Sequence, residues 1–190
     1  MPDDLKPLPT RRSVRLKGID YGHPGACFLT ICAHESRHIF GKVIGAAVTL
    51  NRLGVAAEEC WLDIPNHFPH VLLSEHVVMP NHVHGILVLT RKLPTRPNRH
   101  EEMDRPGYAA PGHEFGKALR GNIPTIVRSF KAAVSKKIRE IRCEPEFCVR
   151  QRGYYEHLIR NPADFRESAK YIRLNPARWA QKSQAMESEP

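Results

Sequence analysis

Two histidines, His82 and His84, stand one residue apart in the stretch VVMPNHVHGILVL. In a β-strand, residues i and i+2 project from the same face, so both imidazoles would point the same way while Val83 faces the opposite layer. Two adjacent imidazoles can chelate one divalent cation. A His-x-His pair also occurs by chance in many sequences, and taken alone it is more often two ordinary polar residues at a turn.

The apolar residues around the pair strengthen the metal hypothesis. Residues 77–79 and 86–89 predict core strands, where exposing polar rings is costly unless they have partners. Zinc would require three or four Cys or His ligands, and no cysteine lies at a suitable local spacing. His76 on the preceding strand is a candidate third ligand, although a histidine in an apolar strand is more often a hydrogen-bonded core residue. Two imidazoles with an oxygen ligand and waters suit Mg²⁺ or Mn²⁺.

A candidate nucleophile lies in the last predicted helix, which begins after the N-cap Asn161 and is expected to stop at Pro176. Tyr171 and Asn175 are four residues apart and therefore share one face of this helix. Spacing alone is also consistent with a tyrosine at the rim of the core and an asparagine at a helix C-terminus. Tyr154 and Tyr155 form a second tyrosine pair, but they precede the helix and are much weaker candidates.

The elements that must position these residues can be predicted from periodicity and capping signals. We predict strands over residues 26–33 and 42–51, a helix from the cap Asn51 to about Leu62, a hairpin over 71–79 and 82–90, a long exposed loop over 91–122, a helix over 123–141, a short strand around 146–151 and the last helix. This order predicts an α+β fold, a ferredoxin-like antiparallel sheet with helices packed on one face. One domain over residues 26–180 is expected, preceded by a basic lead-in over 1–25 and followed by a disordered tail over 181–190.

The charge balance favours a polyanionic partner. The chain has 29 Lys and Arg against 20 Asp and Glu, a formal charge of +9, which points first to nucleic acid and second to an anionic membrane surface. No apolar run reaches about 18 residues and no signal-peptide core is present, so a cytoplasmic protein is expected, at the nucleoid when bound to DNA. The candidate phosphate contacts, which could also be a solvated face, are Arg11, Arg12, Arg15 and Lys17 in the lead-in and Arg128, Lys131, Lys136 and Lys137 in the middle helix.

Four segments of the chain have the order and spacing of motifs in a known protein family. They are RRSVRLKGIDYGHPGACFLTICA, VVMPNHVHGILVL, IVRSFKAAVSKKI and YIRLNP. Over residues 11–179 the chain resembles the REP-associated tyrosine transposases, a branch of the single-tyrosine HUH superfamily, in which HUH means His-hydrophobic-His. The motifs MPNHVHG and YIRLNP are specific for this family when they occur together, although either one alone would not be.

The resemblance implies roles for individual residues. His82 and His84 are similar to the HUH metal ligands, Tyr171 to the nucleophile, and Asn175 to the polar residue that completes the metal site through its side-chain oxygen. It also implies the HUH endonuclease fold, a divalent metal such as Mg²⁺ or Mn²⁺, and cleavage through a covalent 5′-phosphotyrosine. The expected partner is single-stranded DNA carrying palindromic hairpins, and no membrane partner is expected. The protein would bind this DNA as a monomer or a homodimer.

The sequence is also compatible with two other functions. A domesticated DNA-hairpin-binding protein would keep the fold without cleaving its ligand. A metal-dependent hydrolase would share the His-x-His pair but use water as its nucleophile. The loop over residues 91–122 is also longer than the tight connection expected after the histidine strand.

Overall fold

A computed structural model of the chain describes residues 23–92 and 121–187. The predicted lead-in therefore lies almost wholly outside the described residues, as does most of the predicted loop over 91–122. The strands are β1 (Gly25–Cys32), β2 (Gly41–Ile44), β3 (Ala47–Leu50), β4 (Val71–Met79), β5 (His82–Leu89) and β6 (Tyr155–Ile159). The helices are α1 (Arg52–Leu62), α2 (Ile64–His67), α3 (Ile123–Arg142) and α4 (Pro162–Glu187), and a 3₁₀ turn spans His34–Ser36. None of the described helices combines the length and apolarity needed to cross a bilayer.

Four strands form an antiparallel sheet in the order β4-β5-β1-β6. The hairpin strand β5 thus lies beside the first strand, while β4 and β6 form the two edges. This is the strand order of a split β-α-β, ferredoxin-like sheet, to which β2 and β3 add a separate two-stranded hairpin. The predicted α+β class with an antiparallel sheet is confirmed.

Both faces of this sheet are covered by helices. Cys27, Leu29 and Ile31 of β1 belong to the larger core, which contains the apolar sides of α1 and α3. Phe28 and Ile86 point to the opposite face, where they pack on Ala169 and Ile172 of α4. The expectation that all helices lie on one face was therefore wrong. Because β1 and β5 are central strands with apolar residues at odd and even positions, they are buried from both sides.

Asparagine side chains cap the N-termini of the three long helices. Asn51 accepts hydrogen bonds from the backbone N–H groups of Leu53 and Gly54 at the start of α1, which confirms the predicted cap. Asn122 does the same for Thr125 in α3. Asn161 accepts from the N–H groups of Ala163 and Asp164 at the start of α4, again as predicted.

The predicted end of the last helix at Pro176 was wrong, because α4 continues to Glu187. A proline inside a helix removes one backbone hydrogen bond and crowds the preceding turn. Contacts on both sides of Pro176 offset this loss: Ile172 is buried in the core, and the Trp179 ring lies 5.9 Å from that of His82. The predicted tail consequently begins inside this helix.

The predicted short strand around residues 146–151 was also wrong. This segment makes only an isolated bridge between Arg150 and Ala33, whereas the edge strand β6 starts at Tyr155 and pairs with β1. Phe147 is not part of a ladder, and its ring packs beneath the guanidinium groups of Arg37 and Arg142. The apolar alternation that suggested a strand reflects this cation–π packing and the burial of Val149.

Gly85 in the MPNHVHG motif is required by packing. The Trp61 ring from α1 lies against the Gly85 backbone, and a Cβ at this position would overlap the ring. A Gly→Ala change inside a strand would otherwise be favourable. We expect Gly85→Ala to lower the free energy of unfolding by about 1–3 kcal/mol through overpacking, as measured by urea denaturation. In a Trp61→Leu background the same change should be close to neutral, and an equal loss in both backgrounds would contradict this explanation.

Candidate metal and nucleophile site

His82 and His84 lie side by side at the start of β5, on the face that is covered by α4. Val83 between them points into the opposite core, as the strand period requires. The two Nε2 atoms are 2.9 Å apart, and the ring centroids are separated by 4.3 Å. His84 is only 5 % exposed. The two imidazoles therefore converge on one point from a largely buried strand.

The other ring nitrogens are occupied by hydrogen bonds. His82 Nδ1 donates to the side-chain oxygen of Asn81, and His84 Nδ1 lies 2.9 Å from the Thr30 hydroxyl on the neighbouring strand. The Asn81 oxygen can only accept, so His82 carries its proton on Nδ1 and keeps its Nε2 lone pair free for a metal. His84 would do the same in the tautomer whose Nδ1–H donates to Thr30. Asn81 and Thr30 thus orient both rings toward the same point.

Burial keeps both imidazoles neutral at pH 7. It lowers the pKa of His82 to about 4, an effect that a hydrogen bond with the Asn175 side chain opposes. Burial also lowers the pKa of His84 to about 3, and the neighbouring charge of His82 adds to this effect. A hydrogen bond with the Leu29 backbone opposes it. Neutral imidazole is the form that ligates metals.

The donor geometry fits a small octahedral cation. Ligands in neighbouring positions at about 2.1 Å from Mg²⁺ would be about 3.0 Å apart, close to the spacing of the two Nε2 atoms. Within residues 23–92 and 121–187, no group of three His, Cys, Asp or Glu side chains could hold a metal. The amide oxygen of Asn175, which is 8 % exposed and hydrogen-bonded to His82, is the candidate third protein donor. His76 cannot serve, because its ring stacks on Trp61 on the opposite face of the sheet.

Helix α4 carries Tyr171 to the same face. The Tyr171 ring lies 5.3 Å from that of His84 and 5.9 Å from that of Phe28, both with edge-on geometry. Tyr171 is 40 % exposed, so solvent reaches it although its ring is supported by the sheet. The structure thus brings His82, His84, Tyr171 and Asn175 together, although the histidines and the helix are far apart in sequence.

A cleft of about 710 Å³ opens beside Tyr171. Besides Tyr171 and His84, its lining includes Thr30, Tyr155, His157, Lys170 and Arg178. Sequence reasoning missed Lys170 and Arg178. Arg178 follows Pro176, where the helix was expected to stop, so the sequence analysis did not place it on the Tyr171 side of α4. The signal available was the spacing of seven residues between Tyr171 and Arg178, which places both on one side of an uninterrupted helix.

Those of the basic residues predicted to bind DNA that the structure describes are not at this cleft. Arg128, Lys136 and Lys137 are exposed on α3, which packs on the opposite face of the sheet. Lys137 is also paired with Glu59, with 3.0 Å between Nζ and the carboxylate oxygen. Arg11, Arg12, Arg15 and Lys17 lie outside the described residues. The structure therefore assigns no phosphate contact to any of these side chains.

The prediction that Lys131 contacts DNA was wrong. This side chain is 6 % exposed, and its ammonium group donates hydrogen bonds of 2.7 and 2.5 Å to the carbonyl oxygens of Gln151 and Gly153. Burial, with the nearby charge of Arg150, lowers the Lys131 pKa to about 8. Lys131 tethers the segment before β6 to α3.

We expect Lys131→Met to lower the free energy of unfolding by about 1–3 kcal/mol, because two carbonyl groups lose their donor. Its affinity for DNA should stay close to that of the wild type. Lys136→Met, at an exposed position on the same helix, is the matched control and should leave the unfolding midpoint unchanged. Urea denaturation and filter binding measure the two quantities. A stable Lys131→Met variant with weak DNA binding would restore the original prediction.

One relative matches the chain over nearly its whole length. An uncharacterized protein of Haemophilus influenzae is 36% identical over 171 residues, which cover 90% of this chain and 91% of the relative. The chain belongs to the family of this Haemophilus protein. No model of a known protein family matches it.

The chain shares its fold with a transposase. The structure of a REP-associated tyrosine transposase bound to a REP hairpin superposes with a TM-score of 0.55 and 17% sequence identity. The match covers 88% of this chain and 74% of the transposase. At this identity the likeness establishes the fold, a four-stranded antiparallel sheet with helices packed on it.

Proposed function

We propose that the protein is a single-tyrosine transposase of the REP-associated type. It would cleave and rejoin hairpin-bearing single-stranded DNA through a covalent 5′-phosphotyrosine. The observation that carries this proposal is the convergence of the two Nε2 atoms, 2.9 Å apart, beside the exposed Tyr171. The shared fold with a transposase bound to a hairpin supports it, and so does the net charge of +9.

In the proposed reaction the Tyr171 hydroxyl oxygen attacks a backbone phosphorus. A bond forms between phosphorus and the tyrosine oxygen, the bond to the 3′-oxygen breaks, and the tyrosine loses a proton while the 3′-oxygen gains one. Because the phosphodiester energy is kept in the covalent link, another 3′-OH can reverse the step and join two strands without ATP. A hydrolase with a water nucleophile could not rejoin strands in this way.

His82, His84 and Asn175 are the residues that would hold Mg²⁺ or Mn²⁺. When bound there, such an ion polarises the phosphate and stabilises the leaving 3′-oxygen. Thr30 and Asn81 keep the two imidazoles in the required orientation. Edge-on contacts with His84 and Phe28 restrict the Tyr171 ring at the lining of the cleft, so little side-chain freedom would be lost on binding.

The lining of this cleft favours single-stranded over duplex DNA as the substrate. The side chains of Lys170 and Arg178 supply positive charge near the nucleophile, and Tyr155, which is 61% exposed on the edge strand, offers an aromatic face. Grooves that bind single strands combine these two features, because cations follow the backbone and unpaired bases stack on aromatic rings. A stacked base requires that the DNA be unpaired at this point.

The test is a covalent-adduct assay. The protein is incubated with a hairpin-bearing single-stranded DNA labelled on the 3′ side of the scissile phosphate, with Mg²⁺, Mn²⁺ or EDTA, and separated on a denaturing gel. We expect a labelled protein band with either metal and none with EDTA. Hairpin binding without a band would indicate the non-cleaving hairpin binder instead. Cleavage without a band would indicate a hydrolase that uses water.

A further inference from the structure

Arg178 lies against the proposed nucleophile. Its guanidinium carbon is 5.4 Å from the centroid of the Tyr171 ring, in cation–π geometry, and both side chains line the cleft described above. The two residues are seven positions apart, about two turns of α4, so Tyr171, Asn175 and Arg178 follow one another along one side of the helix. Arg178 is exposed to solvent. Its charge is therefore available to a ligand that reaches Tyr171.

Glu167 also lines this cleft, but among the described residues no carboxylate forms an ion pair with Arg178. Arg173, on the same helix, is paired with Glu75, whereas Arg178 makes no ion pair with any described residue. An unpaired guanidinium held beside a nucleophile is suited to an anion that arrives with the substrate. A planar fork of N–H donors matches two oxygens of one phosphate group.

We propose that Arg178 is a catalytic residue, which binds the non-bridging oxygens of the phosphate that Tyr171 attacks. This inference rests on the proposed function. Negative charge on these oxygens increases as the tyrosine oxygen approaches phosphorus, and a positioned cation stabilises that charge more strongly in the transition state than in the ground state. Arg178 exchanges no proton in the step. It acts through hydrogen bonds and charge alone.

The first test compares rate with affinity in the full chain. Arg178→Met should slow single-turnover adduct formation by about 100-fold or more, while hairpin affinity without metal changes by less than about threefold. Arg178→Lys should recover part of the rate, since it restores the charge but not the fork. Arg166→Met, at an exposed position of the same helix outside this cleft, is the matched control and should retain the wild-type rate. Thermal unfolding verifies that each variant is folded.

The second test removes the charge from the substrate. A methylphosphonate at the scissile position replaces one non-bridging oxygen by a methyl group and makes the linkage neutral. The wild type and Arg178→Met should form adducts with this DNA at rates within about threefold of each other, because the linkage has lost its full negative charge and one of the two oxygens that the guanidinium fork would bind. An undiminished 100-fold difference would assign the defect to misplacement of Tyr171 and overturn the proposal.

The outcomes separate this inference from the proposed function. If the wild type forms an adduct and Arg178→Met forms it equally fast on ordinary DNA, the role of Arg178 is wrong and the transposase assignment stands. If the wild type forms no adduct with either metal, both fail together. A large rate loss for Arg178→Met that disappears on the methylphosphonate substrate supports both.

Discussion

Replacement of Tyr171 by phenylalanine is expected to abolish the covalent protein–DNA adduct, with a loss of about 10³-fold or more. The substitution removes only the hydroxyl group. The ring contacts with Phe28, His84 and Arg178 remain, so the helix should keep its place on the sheet. Hairpin affinity should therefore stay within about twofold of the wild type. The adduct band on a denaturing gel and a filter-binding isotherm measure the two effects.

Tyr155→Phe is the matched control for this experiment. Tyr155 lines the same cleft and is more exposed than Tyr171, at 61% against 40%. Its ring lies edge-on to Phe28 but is not among the rings in contact with His84. The phenylalanine variant should keep the aromatic face and form the adduct at close to the wild-type rate. The assignment of the nucleophile would be reversed if Tyr155→Phe lost the band and Tyr171→Phe kept it.

Local chemistry was sufficient to predict much of this fold. The caps Asn51 and Asn161 act within three residues of themselves, and the hairpin that carries the histidines follows from two apolar runs on either side of Pro80 and Asn81. Because side chains alternate along a strand, the common direction of His82 and His84 could also be predicted. These features depend on neighbours in sequence, which is why a single sequence reveals them.

Features that depend on distant partners could not be predicted in this way. Lys131 lies four residues after Val127 and three before Val134, at the edge of the buried side of α3, but its charge suggested solvent exposure. The carbonyl groups that bind its ammonium group come from residues 151 and 153, far along the chain. The continuation of α4 beyond Pro176 likewise depends on Trp179 packing near His82. The proximity of Tyr171 to His84 was expected only from the resemblance to HUH transposases, since spacing along the helix does not specify which face of the sheet it covers.

Removal of one imidazole is expected to have the second large effect. His84→Ala should weaken the affinity for Mn²⁺ by about 100-fold or more, because one of two converging nitrogen donors is lost and the remaining site has few protein ligands. Adduct formation at low metal concentration should fall with it. Thr30→Val leaves the imidazole but removes the hydroxyl beside Nδ1, and should weaken Mn²⁺ binding by about 10–100-fold. Binding of Mn²⁺ to the free protein, followed by electron paramagnetic resonance, measures the affinity without turnover.

His76→Ala is the control that separates a metal site from a general effect of losing a histidine. His76 lies on the neighbouring strand, but it faces Trp61 on the other side of the sheet. Its removal should leave Mn²⁺ affinity and adduct formation unchanged, whatever it costs in stability. Equal Mn²⁺ affinity in the wild type and His84→Ala would place the metal elsewhere. A moderate loss of Mn²⁺ affinity in Thr30→Val and a larger loss in His84→Ala is the pattern expected of a ligand and the residue that orients it.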